Sequence, residues 1–145
     1  MSNETSIALA ALEADTFAPS IAAYLGDAVY ELAVRRWTIK TLAAQRALTP
    51  KAIHFATIAR VQAAYQANLL TAIEPQLTDS EKDWVRRAKN VSTKTARKQD
   101  QAVHRHATAL EALVGWWSVH APERMAMLTP YWSQAVLTSV IETHD

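Results

Sequence analysis

The sequence predicts an all-α fold, and three observations support it. Glycine occurs only twice in 145 residues, whereas alanine and leucine, which favour helices, are abundant. No Asn-Gly or similar hairpin dipeptide interrupts the chain. Apolar residues recur at helical spacing in several long segments. Because 145 residues can bury a sizeable core, we expect a single domain over residues 1–145.

Capping residues and prolines set the boundaries of the first three predicted helices. The first runs from about Pro19 to Trp37, with proline in its first turn. The second begins at Thr49 and Pro50, where threonine can cap and proline can start a helix, and it ends near Ile73. The segment Thr78–Glu81 has the pattern of a capping box and opens a third helix that reaches Lys89.

The second half of the chain is predicted to hold a basic loop followed by helices. Residues 90–101 are rich in Ser, Thr and cations and lack apolar periodicity, which is typical of a loop. A fourth helix is expected from about Val103 to His120. Two prolines, Pro122 and Pro130, then divide two shorter helices within residues 122–145.

Composition excludes several classes of protein. Cysteine is absent, which rules out disulfides and thiolate metal sites and fits a reducing compartment. The acidic N-terminal stretch has no basic region of the kind that opens a signal peptide. No apolar run approaches the roughly 18 residues that a membrane span needs. We therefore expect a cytoplasmic protein with no membrane partner.

Charge is distributed unevenly along the chain. The segment from Lys82 to Arg105 contains eight basic and two acidic residues, so it carries +6. The net charge of the whole chain is +1, which leaves −5 for the remainder. Such asymmetry indicates a surface for an anionic partner, although a solvated basic face would show the same pattern.

The first predicted helix carries two acids in apolar surroundings. Asp27 and Glu31 lie about 40° apart around the helix, given 100° per residue. The opposite side is predicted to form the buried apolar stripe, made of Ile21, Leu25, Ala28, Val29 and Leu32. Because this helix is apolar nearly all round, a carboxylate on it is costly unless a cation or hydrogen bonds satisfy its charge.

The fourth predicted helix repeats this pattern around Glu111, with His104 and Thr108 on the same face. Each of the two glycines, Gly26 and Gly115, lies within one turn of an acid. Because glycine lets backbones approach closely, we expect the two helices to cross there and to bring Asp27 and Glu111 together.

Two hard carboxylates in one pocket suit Mg²⁺ or Mn²⁺, with water in the remaining coordination positions. The residues alone leave an alternative open, in which these acids are structural. In that case a buried acid would pair with an arginine such as Arg35 or Arg105.

Three motifs resemble those of a known nuclease family. The sequence Tyr-Leu-Gly-Asp-Ala-Val-Tyr-Glu at 24–31 resembles the signature helix of the ribonuclease III catalytic domain. Leu-Glu-Ala-Leu-Val-Gly at 110–115 resembles its second acidic motif. Arg-Arg-Ala-Lys-Asn at 86–90 is similar to a segment of Mini-ribonuclease III, which has the catalytic domain without the double-stranded-RNA-binding domain. The resemblance covers roughly residues 19–119.

This resemblance implies a homodimeric, Mg²⁺-dependent endonuclease in which each subunit cuts one strand of double-stranded RNA. It also implies a role in maturing the ends of 23S ribosomal RNA. Asp27 and Glu111 match the family's catalytic, metal-binding acids. Two further acids of full-length ribonuclease III are replaced here by Ala23 and Thr108. Glu31 and Thr108 are expected to support the two ligands rather than to bind the metal, although Glu31 could also be an ordinary structural acid.

The resemblance also implies an RNA-binding surface around the basic segment. A-form RNA is contacted mainly through its phosphates and 2′-hydroxyls, so these residues should give affinity more than sequence choice. The candidates are Arg86, Arg87, Lys89, Asn90, Lys94, Lys98, His104 and Arg105. A non-catalytic RNA-binding helical module, such as a ribosome assembly factor, would share this surface without needing the acid pair. A purely structural interaction domain would need neither feature.

Overall fold

The computed structural model describes residues 9–13, 15–91 and 98–134 and shows only helices and turns within them. The α-helices are α1 (Pro19–Ala44), α2 (Pro50–Val61), α3 (Ala63–Ile73), α4 (Asp79–Lys89) and α5 (Lys98–His120), and the 3₁₀ segments are Glu74–Gln76 and Pro122–Tyr131. The predicted all-α fold is confirmed. No helix in these residues is long and apolar enough to cross a membrane.

Two predicted helix starts are confirmed by their capping contacts. The Thr49 side chain accepts a hydrogen bond of 3.1 Å from the backbone N–H of Ala52, and Pro50 occupies the first turn of α2. At α4, Thr78 and Glu81 form the reciprocal pair of the expected capping box. Both caps depend on residues within one turn of each other, which is why the sequence could predict them.

Other boundaries differ from the predictions. Helix α1 continues to Ala44 instead of ending at Trp37, and α5 already begins at Lys98. The single helix predicted from Thr49 to Ile73 is in fact two, because Gln62 adopts an extended conformation with φ −69° and ψ 151°. Pro122–Tyr131 is a 3₁₀ segment, and most of the last predicted helix, which was expected after Pro130, falls on residues 135–145 and lies outside the described residues.

Helix α5 lies at the centre of the fold, with α1, α3 and α4 packed around it. The fully buried side chains that define this core come mainly from α3 and α5, with Tyr30 and Val34 from α1, and the largest are Trp117, Tyr30, Leu69, Leu70, Ile73, Leu110, Leu113 and Leu128. Burying this much apolar surface is the main force that holds the helices together.

The predicted buried stripe of α1 is wrong. Ile21 is 53% exposed and Leu32 is 48% exposed, and Leu25, Ala28 and Val29 are exposed or only partly buried. The buried face instead carries small residues and two larger ones, namely Ala22, Ala23, Gly26, Tyr30 and Val34. Close approach to α5 requires small side chains, and this requirement outweighs the hydrophobicity of the bulkier face.

The predicted crossing of the two glycines is confirmed. A Cβ atom built on Gly26 would lie 1.7 Å from the carbonyl oxygen of Glu111. One built on Gly115 would lie 1.9 Å from the carbonyl oxygen of Ala22. The backbones of α1 and α5 are therefore in direct contact, and no larger residue fits at either position unless the helices separate.

Glu81 does more than cap α4, since it also links three parts of the chain. It is only 4% exposed and accepts hydrogen bonds from Trp117 Nε1 at 2.6 Å and from Arg124 Nη2 and Nε at 2.6 and 2.9 Å. Burial alone would raise the pKa of Glu81, but hydrogen bonds from Arg124, Thr78 and Trp117 hold it at about 2. The sequence analysis missed this network because its partners lie far along the chain.

We expect Gly26→Ala to lower the free energy of unfolding by roughly 3 kcal/mol, because the added methyl group overpacks a backbone contact. The change should destabilise although alanine favours a helix by about 1 kcal/mol over glycine. Urea unfolding followed by circular dichroism measures it, with Lys40→Ala, an exposed change in the same helix, as the control. Equal or greater stability of the Gly26 variant would contradict the crossing.

Glu81 should also make stability depend on pH. Its pKa is lowered in the folded state, so its contribution is present above the unfolded pKa of about 4.5 and is lost as pH falls towards 2. Glu81→Gln should lower the free energy of unfolding by about 3 kcal/mol at pH 7. It should also make stability less dependent on pH under acidic conditions. Urea unfolding between pH 3 and pH 7 tests this. If the stability of the variant fell with pH as steeply as that of the wild type, Glu81 would not be the group responsible.

Candidate active site

The crossing of α1 and α5 places Asp27 and Glu111 beside each other. Asp27 follows Gly26 and is exposed, whereas Glu111 lies one turn before Gly115 and is partly buried. The side chain of Gln66, which is buried on α3, hydrogen bonds to the Glu111 carboxylate. The site therefore forms where α1, α3 and α5 meet.

The electrostatics of this site are unfavourable for two charged acids. Burial, and then the neighbouring charge of Asp27, raise the pKa of Glu111 to about 7, although the hydrogen bond from Gln66 lowers it. A cation between the two carboxylates would remove this repulsion and favour their charged forms. The acid pair is therefore suited to binding a positively charged group.

The donor set fits a hard divalent cation. Two carboxylates offer oxygen ligands of the kind that Mg²⁺ and Mn²⁺ prefer. In the described part of the chain, no group of three or more metal-type side chains comes together. The protein would thus supply two ligands, which leaves most coordination positions to water, as is common for Mg²⁺.

The alternative of a structural ion pair with arginine finds no support at these acids. Arg35 contacts Glu31 instead, with 3.2 Å between Nε and Oε2, and both side chains are about half exposed. Arg105 is exposed on α5. Within the described residues, neither Asp27 nor Glu111 forms an ion pair. Thr108 lies on α5 one turn before Glu111 and is partly buried.

Three cations of the predicted RNA-binding surface already have partners. Arg86 Nη2 lies 2.6 Å from Asp83 Oδ1, and Lys89 Nζ lies 2.8 Å from Glu74 Oε1. The Arg87 guanidinium lies over the ring of Trp84, 5.4 Å from its centroid. An anionic ligand would have to compete with these contacts.

The other predicted RNA-binding residues either follow α4 along the chain or belong to the first half of α5. Asn90 is exposed at the end of α4, and His104 and Arg105 are exposed in the first half of α5. Lys94 and the side chain of Lys98 lie outside the described residues. These exposed positions are therefore accessible to a large ligand.

Sequence reasoning missed Gln66. It lies on an apolar helix and is buried, yet it contacts the carboxylate of a helix 45 residues away along the chain. Its one signal was the presence of an amide among apolar neighbours, and such a residue gives no indication of its partner.

A family model for the ribonuclease III domain matches residues 21–122. The chain belongs to the ribonuclease III domain family. This match includes Asp27, Gln66, Glu111 and both glycines, so the crossing described above lies inside the family's domain.

Relatives within the family are also similar over most of their length. A protein named Mini-ribonuclease 3 from Synechocystis sp. is 38% identical over 113 residues, covering 76% of this chain and 73% of the relative. Another Mini-ribonuclease 3, from Gloeobacter violaceus, is 42% identical over 106 residues, covering 73% and 75%. A crystal structure of a Fusobacterium nucleatum protein superimposes with a TM-score of 0.68 at 26% identity, covering 79% of this chain and 91% of that one.

The repulsion between the acids predicts an unusual response to Asp27→Asn. The raised pKa of Glu111 means that its contribution to stability is complete below about pH 4.5 and is lost as pH rises through about 7. Removing the charge of Asp27 should reduce that loss. In EDTA at pH 8, the variant should therefore melt at or above the temperature of the wild type.

Adding Mg²⁺ should then raise the melting temperature of the wild type and leave that of Asp27→Asn unchanged, because only the wild type keeps both ligands. Asp15→Asn, which removes an exposed acid elsewhere, should behave as the wild type. A large destabilisation of Asp27→Asn in EDTA would instead show that Asp27 has a structural partner.

Proposed function

We propose that this protein is a metal-dependent endoribonuclease that cleaves double-stranded RNA. The observation that carries the proposal is the pair Asp27 and Glu111, which the glycine crossing brings together within a ribonuclease III domain. The similarity to proteins named Mini-ribonuclease 3 supports the same activity. We further propose a cytoplasmic role in maturing the ends of 23S ribosomal RNA.

Asp27 and Glu111 would hold Mg²⁺, or Mn²⁺ as an alternative. When bound, such an ion lowers the pKa of coordinated water and neutralises charge that develops on the scissile phosphate. Gln66 holds the Glu111 carboxylate in place. The Glu111 side chain would therefore lose less conformational freedom when a metal ion binds. Glu31 and Thr108 would support the ligands from neighbouring turns of α1 and α5.

The RNA-binding surface would be built at the junction of α4 and α5. The residues proposed to contact phosphates or 2′-hydroxyls are Arg86, Arg87, Lys89, Asn90, Lys94, Lys98, His104 and Arg105. Because Asp83 and Glu74 already neutralise two of these cations, binding of RNA would exchange one anionic partner for another. Such contacts give affinity that is sensitive to salt and largely independent of sequence.

A homodimer would supply two such sites, one for each strand of a duplex. The surface proposed for the interface is the exposed face of α1, where Tyr24 is 85% exposed and Ile21 and Leu32 are about half exposed. An apolar helix face of this kind is costly to leave in water and is suited to a self-complementary contact about a two-fold axis.

The decisive experiment is cleavage of a duplex RNA by the pure protein. Wild type with Mg²⁺ should cut, whereas EDTA, Asp27→Asn or Glu111→Gln should each lower the rate at least about 100-fold, consistent with losing a charge-stabilising group. All should still bind the duplex, because the basic surface is unchanged. Asp15→Asn serves as the control. Metal-independent binding without cleavage would instead support a non-catalytic RNA-binding module.

The proposed dimer can be tested through Leu32→Glu, which places a charge on the exposed face of α1. The wild type should be dimeric by light scattering, and the variant should be monomeric with an unchanged helical spectrum, because burying an unpaired charge at an interface is costly. Leu48→Glu makes the same change at an exposed leucine outside α1 and should remain dimeric. A fully active wild-type monomer at micromolar concentration would contradict the dimer.

A further inference from the structure

Arg60 is a buried cation that the proposed function does not use. It lies on α2 and is only 6% exposed. Its Nε donates a hydrogen bond of 2.6 Å to the carbonyl of Trp132, and its Nη1 donates one of 2.9 Å to the carbonyl of Ala56. The guanidinium also lies over the ring of Trp37, 4.5 Å from the centroid.

These contacts leave the charge of Arg60 uncompensated. A guanidinium has five N–H donors. Two of its hydrogen bonds go to the carbonyls of Trp132 and Ala56, and a third joins it to the side chain of Tyr65. Within the described residues, the ion pairs of the chain do not include Arg60. Burying an unpaired charge is costly, so an anion beside this group would be strongly favoured.

A cavity of about 200 Å³ lies next to the guanidinium, between α1, α2 and the end of the described chain. The polar side chains that line it are those of Arg60, Thr41, Gln45 and Ser133. Each of them carries at least one N–H or O–H group, and none is acidic. The lining therefore offers hydrogen-bond donors around a single positive charge.

We propose that this cavity is a binding site for one carboxylate group. The guanidinium N–H groups that these three hydrogen bonds leave over can donate to the oxygens of a carboxylate, in charge-assisted hydrogen bonds. The amide of Gln45 and the hydroxyls of Thr41 and Ser133 can satisfy the remaining lone pairs. One buried positive charge matches the single negative charge of this ligand.

Two sources could supply the carboxylate. One is an acidic side chain of residues 135–145, where Glu142 and Asp145 occur and which follow Ser133 closely along the chain. The other is a free small carboxylic acid. In either case the bound group would connect α1 to α2, and Arg60 is itself joined to α1, since Tyr30 donates a hydrogen bond of 2.6 Å to its carbonyl.

A carboxylate built into the lining tests the chemistry of the site directly. Gln45→Glu places one at an exposed position on the rim of the cavity, and Ala43→Glu adds the same charge two residues away without facing it. The Gln45 variant should melt about 3 °C or more above the Ala43 variant, equivalent to roughly 1 kcal/mol. Equal melting temperatures would overturn the proposal.

Acetate distinguishes the two sources. With ionic strength held constant by chloride, melting is measured for the wild type and for a variant combining Glu142→Gln and Asp145→Asn. If the chain supplies the carboxylate, the double variant melts lower and acetate restores it, whereas the wild type does not respond. If the source is free, acetate raises the melting temperature of both proteins equally.

The response must depend on the guanidinium. Arg60→Met should abolish every acetate effect, and if this variant does not fold, Gln45→Glu should do so instead by occupying the cavity. The absence of any acetate response, together with unchanged melting of the double variant, would overturn the proposal. Since none of these measurements involves RNA or Mg²⁺, their outcome is independent of the nuclease assignment.

Discussion

The backbone contact between α1 and α5 at Gly26 and Gly115 is the constraint on which the rest of the structure depends. The carbonyl oxygen of Glu111 occupies the space that a side chain at position 26 would need. Because Asp27 is the next residue along α1, the same contact that packs the two helices also sets the separation of the two acids. The buried face of α1 therefore carries mainly small residues, and several bulky apolar residues of the helix remain exposed. The same helix contact consequently determines both the core packing and the geometry of the candidate site.

Glu81 on α4 and Glu111 on α5 show how different surroundings give the same type of side chain different roles. Glu81 is surrounded by donors, including the guanidinium of Arg124, and its pKa is about 2. Glu111 has one amide donor and an acid as its neighbour, and its pKa is about 7. Within the described residues, the charge of Glu81 has a counter-charge in Arg124, whereas that of Glu111 has none. A group in the second situation is suited to binding a cation from solution, since the free energy is lowered only when that cation arrives.

The surfaces of the molecule follow the same division between satisfied and unsatisfied groups. On α4, Arg86 and Lys89 are held by acids of the same chain, so their net attraction for a polyanion is weaker than their number suggests. On α1, the apolar face around Tyr24 has no partner among the described residues. The buried guanidinium of Arg60 forms no ion pair within the described residues. Within the described part of the chain, the charges of Glu111 and Arg60 and the apolar face of α1 therefore lack complementary partners, and each would favour a partner of different chemistry.

The sequence by itself determined the helical class, the caps at Thr49 and Thr78, and the crossing at the two glycines. Each of these depends on residue type and on contacts within about one turn, or on the rarity of glycine in an otherwise helical chain. Only the tertiary structure decided which face of α1 is buried, that Gln62 breaks a continuous apolar pattern, and that Gln66 holds Glu111. It also decided the Glu81–Arg124 pair, whose members are 43 residues apart. Such contacts depend on how the helices pack, and periodicity along one helix carries no information about the side chains that another helix will bring to it.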